Sequence, residues 1–125
     1  MIHLDTHVVV WLYAGLLDRF PASALELLEK EPLAISPMAV LELQYLHEIG
    51  RVGLPAATVI DDLSSRIGLE VASASFPAVA ATAATLSWTR DPFDRLIAAQ
   101  AITEGAPLLT ADDTIRQNLD TAVWD

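Results

Sequence analysis

Apolar residues along the chain follow two rhythms. Short runs at Ile2–Leu4, Leu33–Ile35, Leu69–Val71 and Leu108–Leu109 have strand character, and longer stretches between them space their apolar positions three and four residues apart, as helices do. This alternation predicts a parallel sheet covered by helices, a three-layer α/β/α fold whose central parallel sheet has four or five short strands, the fifth being Thr121–Val123. Proline marks helix starts at Phe20–Pro21, Ser36–Pro37, Leu54–Pro55 and Phe76–Pro77, because a first-turn N–H has no intrahelical partner to lose. Neither repeat, linker nor low-complexity tract interrupts the pattern, so residues 1–125 read as a single domain.

Four acids stand out against this pattern. Asp5 closes the first strand and opens a helix from Thr6 to about Ala14. Ligands bind at that edge of open α/β sheets, and helix capping is an equally good reason for an Asp there. On the helix from Pro37 to about Ile49, Glu42 shares a 3.6-residue face with Met38, Tyr45, Leu46 and Ile49, while Gln44, His47 and Glu48 take the water side. A carboxylate on an apolar arc is costly unless paired or bound to a metal. Asp94 is the third residue of a helix opened by Asp91-Pro92, where the helix dipole alone favours an acid, and the small Ala98 and Ala101 on its face allow close approach to strand ends. Asp112 follows Leu108-Leu109-Thr110 at another strand end, with a cap for Thr114–Asn118 as its alternative role. Thr6 and Thr110 are placed to hold neighbouring carboxylates. Arg90 and Arg95 flank the third motif, where they can grip phosphate or pair with acids.

Composition narrows the chemistry. At 53% hydrophobic the chain is far from disordered and has apolar surface to spare for a partner. No apolar run approaches the roughly 20 residues of a membrane span, no secretory signal is visible, and the absence of cysteine excludes disulfides and thiolate zinc sites, so a soluble cytoplasmic protein is expected. The net charge of −10 opposes non-specific binding to phosphate backbones, and acids gathered around divalent cations would account for part of that excess. All-oxygen donors suit Mg²⁺ or Mn²⁺ rather than zinc, leaving His3, His7 and His47 structural or supporting. With no serine–histidine or cysteine nucleophile and no glycine-rich phosphate loop, metal-assisted phosphodiester hydrolysis is the reaction the acids suggest. A phosphoacceptor receiver domain also sets aspartates at strand ends, but it needs a lysine late in the chain, and the only lysine is Lys30.

Taken together, Leu4-Asp5-Thr6, Ser36 with Glu42 six positions on, the segment from Asp91 through Pro92-Phe93-Asp94-Arg95 to Ala101, and Leu109-Thr110-Ala111-Asp112 resemble the PIN-domain family over nearly the whole chain. More narrowly they resemble its VapC-type ribonuclease toxins. The resemblance implies a PIN-like fold, a divalent-metal-dependent endoribonuclease acting on RNA, a homodimer, and neutralisation by a cognate antitoxin. It maps the catalytic, metal-holding acids to Asp5, Glu42, Asp94 and Asp112; beside them Thr6, Ser36, Thr110, Arg90 and Arg95 are the residues expected to position the substrate. Two departures fall at helper positions: His7 stands where many relatives carry Asn, and Ala39 where a serine is common. The helix with Leu25, Leu27 and Leu28 and the one with Tyr45 are the expected dimer surfaces. The competing reading is a PIN-like binding or assembly module without catalysis, which retention of all four acids disfavours.

Overall fold

A computed structural model describes all residues from Met1 to Asp125. The elements follow in the order β1 (Ile2–Leu4), α1 (Thr6–Ala14), a 3-10 turn (Leu17–Arg19), α2 (Ala22–Lys30), β2 (Leu33–Ile35), α3 (Pro37–Glu48), α4 (Ala56–Ile67), β3 (Glu70–Val71), α5 (Phe76–Ala83), α6 (Pro92–Thr103), β4 (Leu108–Leu109), α7 (Asp113–Asn118) and β5 (Ala122–Val123). The five strands form one sheet in the order β3-β2-β1-β4-β5, parallel at every pairing. Expectation and structure agree on the layers and on all five strands; the third and the fifth are each one residue shorter, Leu69 being buried in the core and Thr121 preceding the ladder.

Burial explains why the strands are short and apolar. Every residue of β1, β2 and β4 is buried, as required of parallel strands covered on both faces, whereas the edge strands β3 and β5 are not. One cluster of 21 buried residues fills the interior, with Ile2, Leu4, Ile35, Leu43, Leu63, Leu108 and Leu109 at its centre. Helix α6 has Ile97, Ala98, Ala99, Gln100 and Ala101 all buried; Ile97, Ala98 and Ala101 join this cluster, while Ala99 packs with Val79 and Ala83 of α5. Helices α1 and α4 end on Gly15 and Gly68 at φ of 72° and 71°, a left-handed stop that a side chain would strain. No helix is long and apolar enough to cross a membrane.

Strand order fixes where a ligand site can form. From β1 the chain moves outward to β2 and β3, then returns to the other side of β1 for β4 and β5. Winding therefore reverses between β1 and β4, and the connections leaving their carboxyl ends diverge to opposite sides of the sheet, opening a crevice there.

Candidate functional site

That crevice is a cleft of about 530 Å³, lined by Asp5, Glu42, Asp94 and Asp112 together with His7, Val10, Trp11, Arg19, Leu46, Arg51 and Val52. Asp5 leaves β1 and Asp112 follows β4, so the two strands on either side of the winding reversal each deliver one carboxylate. Glu42 arrives from the middle of α3, and Asp94 from the first turn of α6.

A hydroxyl joins the first two acids. Thr110, fully buried, donates from Oγ1 to Asp5 Oδ2 at 2.7 Å, and the same oxygen accepts the Asp112 N–H at 3.1 Å. Asp5 Oδ1 accepts the Thr6 N–H at 2.8 Å, and Asp112 Oδ1 accepts the Ile115 N–H at 2.9 Å. Capping and cleft lining are thus one role for these aspartates, not alternatives. His7 ties down the same corner: its Nε2 accepts the Ala111 N–H at 3.0 Å, which puts the proton of the neutral ring on Nδ1, 3.5 Å from Asp5 Oδ2.

Electrostatics separates the remaining two acids from ordinary surface carboxylates. Burial, reinforced by the charges of Asp91, Asp5, Asp112 and Glu42, pushes the Asp94 carboxyl up to about 7. Burial also raises Glu42, offset in part by the nearby Thr6 hydroxyl and reinforced by Asp5 and Asp91. Thr6 Oγ1 itself is buried without a partner at hydrogen-bond geometry, so it remains a free polar atom. These features, all-oxygen donors that repel one another and a spare hydroxyl beside them, fit a hard divalent cation. The acids share the cleft without forming a closed coordination shell, since no three His, Asp or Glu side chains meet at one point.

The PIN domain family model matches residues 2–118. The chain belongs to the PIN-domain family. It is similar to Ribonuclease VapC22 of Mycobacterium tuberculosis, 33% identical over an alignment of 120 residues that covers 92% of this chain and 89% of that protein. Among solved structures it is similar to VapBC2 from Rickettsia felis bound to a DNA fragment from their promoter, with a TM-score of 0.74 and 24% identity over 100% of both chains. It is also similar to VapBC-1 from nontypeable Haemophilus influenzae, with a TM-score of 0.67 and 19% identity over 100% of this chain and 97% of that one. FitAcB from Neisseria gonorrhoeae follows, with a TM-score of 0.58 and 22% identity over 100% and 97% of the two chains. At these identities the structural likeness speaks for a shared fold.

Within this PIN domain several expected site residues lie elsewhere. Ser36 is buried, accepts the Met38 N–H at 3.0 Å as the cap of α3, and sits 3.5 Å from Gln100, outside the acidic cleft. Arg95 neither reaches the cleft nor pairs with an acid: its guanidinium donates to the Ala83 carbonyl at 3.0 and 3.1 Å and to that of Ala84 at 3.3 Å, closing the end of α5. Arg90 donates to the Ser87 carbonyl at 2.7 Å, also away from the acids. The face assigned to Glu42 needs correction as well. Ala39 and Leu43 are the buried positions of α3, while Tyr45 and Ile49 are each 49% exposed, so Glu42 lies on the flank that turns toward the cleft. Gln44 and His47, expected on the water side, instead hold the α3–α4 connection through the Ala56 N–H at 3.1 Å and the Val52 carbonyl at 2.9 Å. Conversely, Trp11, Arg19 and Arg51 line the cleft without having been singled out. The two arginines lie outside the helices proper, where periodicity gives no face on which to place them.

Proposed function

We propose that this chain is a divalent-metal-dependent endoribonuclease, the toxin of a toxin–antitoxin pair, which works in the cytoplasm and is silenced by a cognate antitoxin. Family membership and the resemblance to Ribonuclease VapC22 support the ribonuclease reading. The observation that carries it is the convergence of Asp5, Glu42, Asp94 and Asp112 on one cleft at the winding reversal, with Asp94 pushed up to about 7 by burial and then by the neighbouring acids.

Asp5, Glu42, Asp94 and Asp112 are the residues that would hold Mg²⁺ or Mn²⁺. Such an ion supplies Lewis acidity toward a phosphoryl oxygen and eases the ionisation of water. The chain's own part is positional. Thr110 fixes the rotamer of Asp5 and the backbone of Asp112 together, His7 holds the loop that carries Asp112, and Thr6 offers a hydroxyl beside Glu42.

The homodimer belongs to the same proposal, but on a different surface from the one the leucines suggested. Leu25, Leu27 and Leu28 pack partly buried against the core, whereas Leu41, Tyr45 and Phe76 are 55%, 49% and 67% exposed. Leu41 and Phe76 line one apolar groove with Met38, Val79 and Leu96, a surface a second copy would cover.

End-labelled single-stranded RNA incubated with the purified protein tests the activity. With Mn²⁺ or Mg²⁺, internal cuts should release fragments of discrete length from the start of the reaction. A ladder that shortens one nucleotide at a time, or intact RNA after prolonged incubation with either ion, would contradict the endonuclease reading.

A further inference from the structure

Every basic side chain can be accounted for, and the account leaves two. Of the seven, Lys30 pairs with Glu26, Arg66 with Asp62 at 2.8 Å, and Arg116 with Asp125. Arg90 and Arg95 are committed to backbone carbonyls. Arg19 and Arg51 have neither an acidic partner nor a side-chain hydrogen bond, and both line the cleft that contains the four acids. A free guanidinium beside unneutralised carboxylates is cheap to pair, yet neither arginine does so.

Their neighbours point to what they face. The Arg19 Cζ lies 5.3 Å from the Trp11 ring centre, and Trp11 in turn packs on His7 with ring centres 4.8 Å apart and planes tilted by 54°. Trp11 is pinned from behind by Phe20 and Trp124 at 6.0 Å each, so the stack is held before any ligand arrives. A chain at −10 gains nothing from its overall field when it approaches a polyanion; attraction has to come from a few local cations. A planar guanidinium binds phosphate through paired N–H groups, and unpaired bases stack on aromatic rings and on arginine planes.

We propose that Trp11 with Arg19, and Arg51, form the substrate-holding wall of the cleft: one unpaired base of a single-stranded RNA lies against the Trp11–Arg19 stack while Arg51 grips a phosphate beside the acids. This rests on the ribonuclease reading and assigns its positioning residues. It selects single-stranded over duplex RNA, because a paired base is not free to leave its own stack.

The test uses the full chain and a fluorescein-labelled single-stranded RNA. Binding is read by anisotropy with Mn²⁺ in an Asp94→Asn background across a salt series, and turnover in the otherwise wild-type protein. Arg51→Ala should weaken binding about 10-fold and flatten the slope of log affinity against log salt by about 0.7, one phosphate contact on a single strand. Arg51→Lys should restore that slope. Arg19→Ala and Trp11→Leu should weaken binding about 5-fold or more through lost stacking. In turnover the losses should fall on KM, with kcat within about 2-fold of wild type. Arg66→Ala, on the outer face of α4, should change nothing. Trp11 packs against the core, so the two exposed arginines decide. If Arg19→Ala and Arg51→Ala bind and turn over RNA as wild type does, the wall is overturned. A wild-type protein that cuts no RNA would defeat the nuclease reading instead, and the binding series would still judge the wall by the same losses.

Discussion

Asp94 condenses the site's electrostatics into one residue. Its carboxyl is pushed from 3.8 to about 7 by burial and by four other acids, so the folded, metal-free protein holds that proton more tightly than the unfolded chain does. Stability therefore falls as pH rises between those two values, and the penalty is complete above the higher one. For a half-buried group screened by solvent the penalty is roughly 1–2 kcal/mol. Asp94→Asn removes it, so in chelator at pH 8 the variant should melt about 3–8 °C above wild type, and the gap should close near pH 4. Calorimetry at the two pH values checks this; a gap equal at both would place the cause outside ionisation. Thr110 predicts the opposite sign. It serves Asp5 and Asp112 at once, and Thr110→Val leaves a buried carboxylate oxygen and a backbone N–H without their partner. The cost should be about 1–3 kcal/mol in urea unfolding, largely recovered by Thr110→Ser. A neutral Thr110→Val would mean that water replaces the hydroxyl.

Helices and strands show what a sequence can and cannot disclose. The strands were legible as brief apolar runs, and the caps of α3 and α6 were legible as Ser36-Pro37 and Asp91-Pro92, because those signals are local. Asp5, Glu42, Asp94 and Asp112 could be picked out because three stand at strand ends or a helix start and one interrupts an apolar helix. Where Arg95 goes was not legible: its targets are the last carbonyls of α5, a helix brought beside α6 only by folding. The orientation of α3 was misread for a related reason, since Tyr45 and Ile49 share the helical face of Glu42 but each stays about half exposed, Tyr45 touching α6 only through Phe93. The destination of Arg95 carries its own prediction. Arg95→Ala should lower stability by about 1–2 kcal/mol and speed hydrogen exchange in α5, while kcat and KM for RNA remain near wild type. A large rise in KM with unchanged exchange would return Arg95 to the substrate.

At the level of the whole molecule, acidity and exposed apolar surface act together. A net charge of −10 keeps copies from associating loosely, so the apolar faces of α3 and α5 can pair only through close, specific packing. Sedimentation at micromolar concentration should give about twice the 13.5 kDa chain mass, and Phe76→Glu should halve it. A wild-type mass of one chain would remove the dimer from the proposal. The same acidity concentrates at the cleft, where the central claim lies: four carboxylates from separate elements act as one divalent-ion site for cutting RNA. Rates of single-stranded RNA cleavage by wild type and Asp94→Asn, measured across a Mn²⁺ titration and in excess chelator, test it most directly. The wild-type rate should rise with Mn²⁺ and vanish in chelator, and the Asn variant should be slower by about 100-fold or more at every concentration. Undiminished cleavage in chelator, or by Asp94→Asn, would contradict it.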